Sequence, residues 1–196
     1  MEISPSEKAI AKHLETVFGA RPRIFIHRES ESDPFYVGIA RVENYPGPGM
    51  TTVSTIGASN YPIYRDDGSI YEDTRAEFIA SCQSGQEDAF IEAVFRAAVY
   101  LGKIKGFARP GIFLHDLFGQ FRPTSLVPHA FLTSPFAYDG LGKPNTFEGR
   151  IVSWLQVLPV SASEITFAQE RSTDALETLF EEREVKWDTL DRTPAI

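Results

Sequence analysis

Cysteine is nearly absent from this chain: Cys82 is the only one among 196 residues, so neither an intrachain disulfide nor a cysteine-built metal site can form. Positive charge is also short. Nineteen Lys and Arg stand against 27 Asp and Glu, a formal charge of −8, which repels phosphate backbones and removes the usual electrostatic drive toward nucleic acid. The same charge attracts a basic protein and speeds its encounter. No run approaches the roughly 20 apolar residues that cross a bilayer, and the segment Met1 to Lys8 has no basic stretch leading into an apolar one. Neither a membrane partner nor a secretory signal is expected, and a cytoplasmic location fits.

Motifs that carry chemistry are missing as well. There is no phosphate-cradling P-loop, no dinucleotide fingerprint and no H-E-x-x-H, and the four histidines (His13, His27, His115, His129) include no i, i+4 pair of the kind that binds zinc on a helix. No cofactor and no metal are therefore expected.

What the chain does have is a core. Hydrophobic residues make up 42% and fifteen Phe are spread along its length, enough for one domain over residues 1–196 folded throughout. Ser4-Pro5-Ser6-Glu7 is a capping box with Pro at N1, followed by Ile10, Leu14, Val17 and Phe18 at helical spacing and a stop at Gly19. Strands are expected at 23–27, 35–42 and 51–56, with the turn-rich Asn44 to Gly49 between the last two. Asp66-Asp67-Gly68-Ser69 marks a tight hairpin between 61–65 and 70–72, whose second arm could continue through 75–82. The stretch from Glu87 to about Lys103 carries Phe90, Ile91, Val94, Phe95, Ala98 and Leu101 on one stripe and reads as a buried helix. Strands are expected again at 126–133 and 150–158. Ser161 and Glu164 form a second capping box, a last helix runs from about Thr173 through Glu182, and the tail reads as irregular. Strands and helices do not alternate as in βαβ units, so the fold class is α+β: a mixed β-sheet with helices packed on its faces.

The candidates for chemistry each have a structural explanation. Gly57-Ala58-Ser59-Asn60-Tyr61 approaches the nucleophile elbow G-x-S-x-G, but Tyr61 replaces the second Gly and Pro62 opposes the helix that should follow, so Ser59 reads as a turn residue at a strand end. His115 beside Asp116 could be an oriented base, yet neighbours on an extended chain point apart, and a histidine hydrogen-bonded near the core is the expectation. Cys82 lies in an apolar run without a basic neighbour and reads as a buried inert thiol. Asp66, Asp67, Glu72 and Asp73 fail the calcium-loop spacing; on a hairpin tip they are the first choice for contact with a basic partner, with Glu177, Glu181, Glu182 and Glu184 equally available on a helix face.

An ordered set of segments resembles the suppressor of fused (Sufu-like) family. It comprises Thr51 to Asn60, similar to a strand ending in a Gly-x-Ser turn; Arg75 to Ala80; the helix from Glu87 to Lys103; Leu126 to Pro135; and Arg150 to Val160 leading into Ser163 to Ala168. The resemblance is clearest over about 35–185. It implies a non-enzymatic protein-binding module, and bacterial members of this size resemble immunity proteins or antitoxins of polymorphic toxin systems. The implied partner is a cognate toxin, and a nuclease with a basic substrate groove would suit the −8 charge. The alternatives are a regulatory adaptor that sequesters another protein, or a hydrolase using His115 or His129 with a Ser.

Overall fold

The computed structural model describes residues 3–65, 67–71 and 74–196. Helix α1 (Pro5–Phe18) begins as expected: Ser4 Oγ accepts from the Glu7 N–H at 3.2 Å, the Glu7 carboxylate accepts from the Ser4 N–H at 2.7 Å, and Gly19 closes the helix in the left-handed region. Strands β1 (Arg23–His27), β2 (Val37–Glu43) and β3 (Met50–Ile56) follow as an antiparallel meander.

The hairpin forms, with β4 (Ile63–Tyr64) pairing antiparallel to β5 (Ile70–Tyr71), but as a two-stranded ribbon of its own. Residues 75–82 form a strand as expected, within β6 (Thr74–Gln83), which belongs to the main sheet. Helix α2 (Glu87–Gly102) then leads to β7 (Phe113–Leu114), β8 (His129–Thr133), β9 (Asn145–Phe147) and β10 (Arg150–Val160), and α3 (Ala162–Glu170) and α4 (Thr173–Glu182) complete the order. The main sheet runs β1-β2-β3-β6-β10-β8-β7, with β9 against β10; β6 and β10 pair in parallel and the other pairs are antiparallel. This is the mixed sheet of an α+β domain.

Alternation along the strands divides the core. Val37, Ile39, Val53, Phe78, Cys82, Leu155 and Val157 face α2 and pack on Phe90, Val94 and Phe95. Ala40, Val42, Ile56, Ile79, Val152 and Trp154 face the other way, onto Ile10, Leu14 and Phe18 of α1. Farther along that second face, Leu158 and Val160 meet Ile165 of α3, with Phe180 and Trp187 against them. Trp154 is 1% exposed and its Nε1 donates to Ser54 Oγ at 3.1 Å, so the indole is buried with its one donor used.

Two strand expectations change, and the tail gains a role. The strand expected over 126–133 shortens to β8, because Val127 N–H donates to Ser125 Oγ in a turn and the Pro128 carbonyl accepts from Phe118 and Gly119. The last strand lengthens through Pro159, which pairs with Ala130 while its carbonyl accepts from Arg192 at 2.8 Å. The tail is irregular as expected, and it is also part of the core. Leu190 is buried, and Gln86 at the N-terminus of α2 clasps it by accepting from Leu190 N–H at 2.8 Å and donating to Thr189 Oγ1 at 2.9 Å.

A buried ion pair fastens the same tail. Arg192 grips Glu164 with both nitrogens, at 2.7 and 2.8 Å, while the Ala195 and Ser161 N–H groups add bonds of 2.7 and 2.8 Å to the same carboxylate. Burial alone would raise the Glu164 pKa. The guanidinium and the two N–H groups outweigh it and hold the carboxyl below its usual range.

Candidate functional site

The elbow-like turn is a fastening. Gly57 has φ +103°, a backbone conformation that favours glycine, while the nearest atom a Cβ would meet is the movable end of the Glu7 side chain. The turn wraps the carboxylate of Glu77, which is wholly buried on β6. Glu77 accepts from Gly57, Ala58 and Ser59 N–H at 2.9, 3.2 and 3.1 Å, and from the Ser59 and Thr55 hydroxyls at 2.6 Å each. Burial pushes the Glu77 carboxyl up; the two hydroxyls and the N–H groups pull the other way. Ser59 is 2% exposed and its proton is committed to Glu77, so it is the turn residue the sequence suggested.

His115 and His129 do come together, with rings 5.4 Å apart and edge to face. The expectation of a core-bound His115 is corrected: the chain turns after β7, Asp116 takes φ +56°, and His115 is exposed. The extended-chain argument fails because these residues are not in a strand. Asp116 N–H donates to His129 Nδ1 at 2.9 Å, which places the proton of the neutral ring on Nε2. Burial and the neighbouring His115 lower the His129 pKa, with Asp116 opposing. Cys82 is fully buried, and burial pushes its thiol up to about 12.

Of the hairpin acids, Asp67 is exposed at the tip and its Oδ1 accepts from Ser69 N–H at 2.9 Å, an Asx turn that the Asp-Gly pair foreshadowed. Asp66, Glu72 and Asp73 lie outside the described residues. Among the described residues no group of three or more His, Cys, Asp or Glu is arranged to hold a metal ion, and no helix is long and apolar enough to cross a membrane.

One apolar groove was not legible in the sequence. A groove of about 490 Å³ lies between α4 and the C-terminal end of β8, floored by Leu158, Phe180 and Val185. Phe136 stands on one bank, 61% exposed and edge-on to Trp187 at 5.4 Å. Glu177, Glu181 and Glu184 line the other, and none of the lining residues is basic. Thr133 donates its hydroxyl to Glu177, and Phe136 N–H donates to Gln156 Oε1 at 3.2 Å. The acids of α4 read correctly as outward facing; what sequence could not show was that Phe136 and Trp187, each in a loop, meet across them.

A mixed sheet covered by helices on both faces, with its buried carboxylates turned onto loops and its open groove turned outward, defines a helix-covered α+β domain. The chain belongs to the suppressor of fused family: the family model described as Suppressor of fused protein (SUFU) matches residues 33–193. It is similar to the immunity protein YqcF of Bacillus subtilis, at 23% identity over 186 residues and 94% of each chain. Its fold matches a SUFU homolog from Neisseria gonorrhoeae with a TM-score of 0.70 at 16% identity, over 97% of both chains. A crystal structure of the Sufu–Fu complex matches with a TM-score of 0.70 at 15% identity, covering 99% of this chain and 93% of that one. Drosophila Suppressor of Fused matches with a TM-score of 0.67 at 12% identity, and there this chain covers 51% of the longer protein.

Proposed function

We propose that this chain is an immunity protein: a non-enzymatic, cytoplasmic single-domain binder that neutralises a cognate toxin by occupying it. The observation that carries the reading is its end-to-end similarity to an immunity protein, over 94% of both chains, alongside its own membership of the family over 33–193. The candidate catalytic groups support the same conclusion, since Ser59 is tied to Glu77, the Cys82 thiol is pushed up by burial, and His129 Nδ1 is occupied by a backbone N–H. The −8 charge favours a basic protein partner over nucleic acid. A second reading, a regulatory adaptor that holds another protein, draws on the likeness to the Sufu–Fu complex.

Co-expression separates the two. Cells carrying its cognate toxin survive when this chain is made and die when it is not; survival that does not depend on the chain contradicts the immunity reading and leaves the adaptor.

A further inference from the structure

We infer that the groove between α4 and the end of β8 is the partner-docking surface, and that it takes a basic protein segment bearing one large apolar side chain. This rests on the reading of the chain as a toxin-binding protein.

The floor and one bank are apolar and aromatic. Phe136 is 61% exposed although its own N–H is anchored to the fully buried Gln156, so its outward position is imposed by the fold. An anchored, solvent-facing Phe beside a half-buried Trp187 supplies rigid aromatic area at small entropic cost, the composition that dominates binding energy in protein interfaces. The opposite bank sets the charge of the occupant. Glu177 and Glu181 lie one turn apart on α4, Glu184 follows just beyond its end, and Thr133 holds the Glu177 carboxylate in place. With no basic residue in the lining, the groove favours Lys or Arg flanking an apolar anchor.

The same charge argues against the other occupants. A phosphate-bearing ligand is repelled, and a second copy of this chain brings its own net charge of −8.

The test measures binding kinetics of the purified cognate toxin. Three variants are compared with the parent: Phe136→Ala, the double change Glu181→Lys/Glu184→Lys, and Asp67→Lys at the hairpin tip. All four positions are exposed, and thermal melting confirms that each variant is folded. Phe136→Ala raises the dissociation rate about tenfold. The double charge reversal lowers the association rate about tenfold and flattens its dependence on salt. Asp67→Lys leaves both rates within about twofold, as expected of a residue outside the contact. A parent that binds while both groove variants bind equally well overturns the groove and leaves the immunity reading intact; loss of binding in Asp67→Lys alone moves the contact to the hairpin. A parent that does not bind this toxin overturns the functional reading itself.

Discussion

Ser59 Oγ donates a 2.6 Å hydrogen bond to Glu77 Oε1 where both side chains are buried, so the serine that most resembles a nucleophile is a fastener of the β3 to β4 turn. The carboxylate is the hub. Glu77→Ala strands three backbone N–H groups and two hydroxyls in the interior and lowers unfolding free energy by about 3–5 kcal/mol. Ser59→Ala removes one donor to a carboxyl and costs about 1–3 kcal/mol, with partner binding retained. Urea unfolding of both variants checks the order.

The clasp between Glu164 and Arg192 makes the tail part of the folded unit. Arg192→Met leaves a buried carboxylate without its cation and costs about 3–5 kcal/mol. Because the folded Glu164 pKa lies below the unfolded value of about 4.3, its contribution is complete above that value and is lost as pH falls through the folded one. The parent therefore loses stability across that acid window, and Arg192→Met flattens the loss; equal acid slopes would assign the window to other carboxyls.

His13 gives the opposite handle. Its ring lies against Phe147 and Trp154 at 5.5 Å from each, and burial lowers its pKa, with a hydrogen bond to Gly140 opposing. A lowered histidine pKa means that the unfolded chain binds the proton more readily, so stability rises with pH from the depressed folded value up to the unfolded value of about 6.5. His129, lowered as well, adds a term of the same sign. His13→Phe reduces the stability gained as pH rises toward the unfolded value of about 6.5, measured by melting at each pH, and an unchanged gain would contradict the assignment.

How much of this was legible depended on how local the signal is. Both capping boxes, at Ser4 with Glu7 and at Ser161 with Glu164, announced their helices because the bonds span three residues. The strand carrying Trp154 announced its burial because it is apolar on both faces. Glu77 looked like one more strand acid, since nothing at position 77 shows that the turn at 57–59 folds over it. Arg192 in a polar tail gave no hint of Glu164 for the same reason, and β7 and β9 are too short to leave a periodic pattern. The groove joins Phe136 to Trp187 through tertiary packing alone.

Two buried side chains test the core directly. With its thiol pushed up to about 12, Cys82 resists a thiol reagent at pH 8 in the folded protein and reacts once the chain is unfolded in urea. Trp154→Ala costs about 3–5 kcal/mol in unfolding free energy. A reactive Cys82 in the native state, or a Trp154→Ala protein that melts like the parent, would mean that the two faces of the sheet are not packed as described.

The central claim, that this chain acts by binding and not by turnover, is tested most directly by titrating it into its purified cognate toxin while following toxin activity. Inhibition is predicted to saturate at a fixed stoichiometry, to leave the toxin and its substrate chemically unaltered by the chain, and to survive Ser59→Ala, His115→Ala and His129→Ala in any variant that folds. Inhibition by substoichiometric amounts that grows with time, and disappears in one of those folded variants, would contradict it.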